Sequence, residues 1–282
     1  MGKKDRRRGS AEGTCRLTGD VGPFIDSHII PKALTRPAVR GAKFIQISDE
    51  GRSSQRPRSW FDSRLVTRAG EDILAQIDGA ACRVLRQHKL TWSSWDNNTL
   101  DTADHTVVTA DGHGIRSIEQ IDNEALRLFI YSLLWRAGAS TMPEFSEIDV
   151  PAENLEKLKN IILGRETADR TFYPATMVQI STLGVVHNHA PLTDLVTVPQ
   201  LDGSPTRYHP TFRFYFDGLV LHIHRPPTDV TVDELGPSLI AGDGPLLVFT
   251  VPYEKSLQRE NLEAMALGNS QAIPPRGWAG RI

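Results

Sequence analysis

Asp26-Ser27-His28 holds the three residue types of a serine hydrolase, but its spacing excludes that chemistry. Neighbours on a strand point to opposite faces, so Ser27 cannot donate to His28 in triad geometry. No G-x-S-x-G elbow occurs elsewhere in the chain. Asp26 and His28, two residues apart, do share a strand face. An imidazole with an unperturbed pKa of about 6.5 suits a base acting on water near neutral pH, and Asp26 can orient that ring. Glu71 falls at a helix start, where a carboxylate can face a cation, and Arg64 and Arg68 can hold phosphates. The competing reading is structural: His28 bonds a backbone carbonyl and Glu71 complements the helix dipole.

These residues need elements to position them. Short apolar patches between glycines and prolines over 15–30 suggest a turn-rich knuckle with a brief strand at Phe24-Ile25. "KFIQIS", 43–48, alternates as a strand does, and "DEGRSSQRPRS", 49–59, reads as an arginine-rich loop. Ile73, Leu74, Ile77, Ala81, Val84 and Leu85 fall at helical spacing in a helix beginning at Gly70-Glu71, with His88 and Lys89 at its negative end. The span 91–116 reads as loop. A second helix is expected from Ile118 to Leu134, with Ser117 and Gln120 as a capping box, and a third over 152–163. Beyond residue 170 the period changes. "TMVQIST", "DLVTV", "TFRFYF", "LVLHIH" and "LLVFTV" read as strands of an antiparallel sheet, with Asp217-Gly218 as a type I′ hairpin turn. A short helix near 254–266 and a Pro/Gly tail follow. The class is α+β, divided into a basic tail (1–13), an N-terminal ββα domain (14–100), a helical segment (101–170) and a β-rich domain (171–282).

"TCRLTGDVGPFIDSHIIPKALTRP", 14–37, resembles the HNH, or His-Me finger, nucleases, especially bacterial members that begin C-x-x-C and continue Ser-His-Ile-Ile-Pro. The resemblance reaches "FDSRLVTRAGEDIL", 61–74, and more loosely "LRLFIYSLLWRAGAS", 126–140, and covers the first half of the chain. It implies a β-hairpin and helix clasping one divalent metal, Mg²⁺ or Mn²⁺. His28 would be the general base, and Asp62 would stand at the loop-holding Asn position, near the metal. Glu71 would take the place of the final metal-side His or Asn. Zinc-bearing members carry two C-x-x-C pairs, and here Cys15 remains while Thr18, Thr67 and Gly70 replace the other three cysteines. One thiolate is not a tetrahedral site, so no structural zinc is expected. The activity implied is a metal-dependent endonuclease that hydrolyses nucleic-acid phosphodiesters in defence against foreign DNA. The alternative is a catalytically silent module of the same origin that binds nucleic acid or protein.

Charge agrees with a polyanionic partner. Residues 1–68 hold 15 Lys and Arg against 7 Asp and Glu, on a chain whose net charge is −2. Lys32, Arg56, Arg58, Arg64 and Arg68 are the candidate phosphate contacts, with DNA ahead of RNA as ligand and a protein partner or a second copy as further possibilities. Two cysteines exclude a disulfide framework, and no apolar run suits a membrane span, so a cytoplasmic location is expected. Some other features read more plainly. His187-x-His189 and His222-x-His224 can form a four-nitrogen metal site if their strands are neighbours, but alternate histidines more simply mark the solvent side of a sheet. Trp92 and Trp95 can stack on bases or seal a joint, and the joint is favoured. Cys82 reads as a small core residue, Trp135-Arg136 as a packing anchor with a terminal charge, and "AGDGP", 241–245, as a turn.

Overall fold

Two strands joined by a long connection, then a helix, organise the N-terminal part of this computed structural model, which describes residues 11–35, 44–47, 53–56, 59–198, 207–226, 232–241 and 244–266. β1 (Glu12–Thr14) and β2 (Val21–His28) form a hairpin, and β3 (Phe44–Ile47) and β4 (Ser53–Arg56) form another. β5 (Phe61–Thr67) returns antiparallel to β2, giving the sheet order β1-β2-β5. It runs directly into α1 (Arg68–Gln87), whose Leu74, Ile77, Ala81, Val84 and Leu85 are buried along the expected face. The tail 1–10, most of the arginine-rich loop with Arg58, Gly242-Asp243 and the Pro/Gly tail lie outside the described residues.

The middle of the chain departs from its sequence reading. Within 91–116, expected to be loop, β6 (His105–Val107) forms and β7 (Gly114–Ile118) begins. Ile118 ends β7, paired with Leu246, so the helix α2 (Asn123–Ala139) starts later than its apolar stripe suggests. Its N-cap is Asp122, which accepts from the Ala125 amide at 2.9 Å; the Ser117–Gln120 capping box does not form, and Gln120 sits at φ 51°. α2 is buried almost all round, from Phe129 to Ala137, as expected of a helix at the centre of a core. α3 (Ala152–Ile162) packs against it.

The remaining elements are β8 (Ala175–Ile180), β9 (His187–His189), β10 (Leu192–Val198), β11 (Arg207–Phe216), β12 (Leu219–His224), α4 (Val232–Leu235), β13 (Leu246–Val251) and α5 (Leu257–Ala266). The large sheet has the order β10-β11-β12-β8-β13-β7-β6. It is mixed rather than antiparallel throughout, because β13 lies parallel to β8. β9 is not hydrogen-bonded into it but lies parallel to β3 in a separate small sheet, its His187 ring stacked on Tyr215 of β11. The fold class is α+β. One face of the large sheet carries Met177, Phe212, Phe214, Phe216, Leu221 and Ile223, and these share a single core with α2 and with Cys15, Leu65 and Leu74 of the N-terminal unit.

Asp217 and Gly218 both take positive φ, 49° and 78°, as a type I′ turn requires. Burial pushes the Asp217 carboxyl up to about 6, against the opposing hydrogen bonds from Ser93. The folded state therefore holds this proton to higher pH than the unfolded chain, whose value is about 3.9. Its stabilising effect is present at pH 4 and is lost as pH rises through about 6. Asp217→Asn tolerates the same backbone and keeps an acceptor for Ser93. Urea denaturation should show it more stable than wild type at pH 7, by about 1 kcal/mol, and nearly equal at pH 4.

Candidate functional site

Pairing of β2 with β5 decides which side chains meet. Ser27 lies opposite Asp62 and His28 opposite Phe61. Cross-strand partners share a face and successive residues alternate. Ser27 and Asp62 therefore occupy one face, and His28 and Phe61 the other. Side-chain contacts identify the first as the helix face. Fully buried Ser27 donates from Oγ to Glu71 Oε2 at 2.6 Å, and Ser140, just beyond α2, donates to Asp62 Oδ2 at 2.8 Å. The His28 and Phe61 rings lie 6.1 Å apart, centroid to centroid.

This arrangement corrects the expected grouping. Glu71 stands at the first turn of α1 as the sequence suggests, but it faces Ser27, and His28 projects from the opposite side of β2. Burial raises the Glu71 carboxyl, opposed by the Ser27 hydrogen bond and the positive charge of Arg136. Asp62, a candidate for both catalysis and metal binding, is buried and committed to structure: its other oxygen accepts from the Arg64 amide at 2.8 Å. That bond closes a local turn where β5 spends three residues, Ser63 to Leu65, opposite Asp26 alone. Asp26 is exposed and stands at this irregularity, where strand alternation does not fix its face. Among the described residues no group of three or more His, Cys, Asp or Glu side chains is placed to hold a metal ion. Glu71 and Asp62 lie on the helix face of β2 and β5 and His28 on the other, so these three do not form such a group with one another.

The four knuckle positions, in contrast, do converge. The Thr18 amide donates to Cys15 Sγ at 3.4 Å, and Thr67 also hydrogen-bonds the thiol. A Cβ built on Gly70 would stand 2.8 Å from that sulfur. Burial raises the Cys15 thiol, but the hydrogen bonds from Thr18 and Thr67 outweigh it and its net shift is downward.

The basic candidates divide. Lys32, Arg64 and Arg68 are exposed, Arg68 only loosely paired with Asp72 at 4.0 Å. Arg56 lies on β4 opposite Phe44, and Arg58 is outside the described residues. Arg136 carries more than a helix-terminal charge. Its buried guanidinium grips both Asp78 oxygens, at 2.6 and 3.1 Å, and donates to the His28 carbonyl at 3.0 Å. An arginine within an otherwise apolar run was the available sequence signal for such a buried pair.

Histidines of the two His-x-His pairs also depart from expectation. β9 and β12 belong to different sheets, so the two His-x-His pairs do not line neighbouring strands. Nor do they face solvent: His187, His222 and His224 are buried, and desolvation lowers His222 to about 3 and His224 to about 4. Burial likewise lowers His187, so in all three it disfavours the charged ring. Trp92 and Trp95 are buried joint residues; the Trp92 indole donates to the Ile180 carbonyl at 3.0 Å and meets Tyr253 edge-on. Cys82 is a core residue, as expected.

No family model matches the chain, and no curated protein or solved structure is similar to it. Among the described residues no helix is long and apolar enough to cross a membrane.

Proposed function

We propose that the N-terminal ββα unit is a catalytically silent, HNH-like module that binds nucleic acid, DNA ahead of RNA, through its basic surface. The observation that carries the silent reading is the Ser27–Glu71 hydrogen bond on the helix face, with His28 on the other face of the same strand. A water activated by His28 would then lack the carboxylate-held cation that phosphodiester hydrolysis uses to absorb developing charge. Convergence of Cys15, Thr18, Thr67 and Gly70 supports the resemblance, because the four positions that would carry the zinc ligands in that family meet at one point. Exposed Lys32, Arg64 and Arg68 supply a sequence-independent phosphate footing.

The test is an assay of cleavage and binding on one preparation. With plasmid and Mg²⁺ or Mn²⁺, wild type and His28→Ala should show the same background. Duplex DNA should bind at low salt with a negative log–log salt slope, and Arg64→Glu with Arg68→Glu should weaken it about tenfold or more. Cleavage abolished by His28→Ala would restore the second reading, a metal-dependent endonuclease, which the β2–β5–α1 order favours. Absence of binding at low salt would remove both.

A further inference from the structure

Opposite its core face, the large sheet buries polar side chains, and one group of them encloses space. Arg213 on β11 lies directly across from His222 on β12. With Val178, Val220, Val251 and the first turn of α5 they line a half-open cavity of about 20 Å³. That is room for one or two small oxygen atoms, by the volume a single water needs.

The lining is rich in unused donors. Arg213 is 7 % exposed and, among the described residues, its side chain makes one hydrogen bond, from Nη1 to Asp194 Oδ2 at 2.8 Å, of the five its guanidinium can donate. His222 and Gln258, 8 % and 5 % exposed, have no side-chain hydrogen-bond partner among the described residues. The α5 amides of Leu257 and Gln258 are helix-start donors with no intrahelical acceptor. Three polar side chains more than nine-tenths buried border this one cavity, and none of their polar atoms is sealed from it without a partner, so they present open hydrogen-bonding capacity to an occupant. Asp194 takes one Arg213 N–H, and the remaining guanidinium donors, the Gln258 amide and the α5 start can all donate, so the site suits a group that carries two acceptor oxygens. The bidentate fork of arginine matches that geometry, and a helix start favours negative charge.

We propose that this cavity between β11, β12 and α5 is a binding site for a carboxylate group, belonging either to a small acid or to the C-terminal end of a peptide. The proposal is independent of the nucleic-acid reading.

Formate is the smallest probe. Followed by the His222 ring resonances in chloride-free buffer, a formate titration should saturate, with a dissociation constant on the order of 1 mM. Gln258→Met places a thioether in the cavity without touching the Arg213–Asp194 pair and should weaken binding at least tenfold, with an unchanged far-UV spectrum. A short peptide with a free C-terminus binding more tightly than its amidated twin assigns the carboxylate to chain ends, whereas tighter binding of formate than of either peptide assigns it to small acids. Shifts that never saturate, an unchanged affinity in Gln258→Met, or saturation by inorganic phosphate but not formate would each overturn the site.

Discussion

Arg136→Ala is expected to destabilise the fold by about 3–5 kcal/mol, the usual cost of stranding one member of a buried ion pair. The Arg136 side chain is 2 % exposed and Asp78 19 %, so the abandoned carboxylate cannot fully rehydrate. The same substitution removes the donor to the His28 carbonyl at the end of β2 and one to the Ser132 carbonyl at 3.2 Å. Three elements, α1, α2 and β2, lose their common tie. Arg136→Leu combined with Asp78→Leu should cost much less, because it leaves no unpaired charge. Urea denaturation of the single and double variants measures both. A single-variant loss under about 1 kcal/mol would show the pair to be solvated in solution.

The position of that arginine bears on the candidate site. Holding the β2 carbonyl from the helix side fixes the end of the strand, and strand alternation then dictates that Ser27 or His28 faces α1, but not both. Ser27 does. The rule that excludes a Ser27–His28 dyad in the sequence therefore also limits His28 and Glu71, once α1 is known to pack on the Ser27 face. That packing depends on β5 and α2, distant in sequence, and no local pattern announces it.

Other parts of the chain divide along the same line. α1 and α3 were legible because each buries one stripe, and the Asp217-Gly218 hairpin because its turn residues demand positive φ. α2 was misplaced at its start because Ile118 and Ile121 continue the helical period while belonging to a strand end and a turn. The parallel pairings β3–β9 and β8–β13 join segments far apart in the chain, and period-2 alternation carries no information about such partners. The histidines of β12 look solvent-facing in the sequence because alternation marks two faces without saying whether the second is covered; here α5 covers part of it.

Thr18→Cys, Thr67→Cys and Gly70→Cys introduced together should give a chain that binds one zinc ion with Cys15, where the wild type binds none at these positions. Thr18 and Thr67 already contact the Cys15 thiol, so three of the four ligand positions surround one point without rearrangement. Gly70 is the tight place. Its added Cβ would meet Sγ of Cys15 at 2.8 Å and Val66 Cβ at 3.0 Å, so metal-free Gly70→Cys should lose about 1–3 kcal/mol by overpacking. A metal relieves part of that clash by drawing the Cys15 sulfur to a Zn–S distance of about 2.3 Å, and structural zinc contributes about 10–16 kcal/mol of apparent binding free energy in small zinc-finger peptides. Even a modest fraction of this exceeds the packing cost. Cobalt substitution should show the thiolate-to-metal absorption of a tetrahedral site, and zinc should raise the unfolding midpoint of the triple variant but not of wild type. A folded triple variant that takes up neither metal would mean that the four positions meet by packing alone, which would leave the nuclease resemblance resting only on the Ser-His-Ile-Ile-Pro segment and the ββα order.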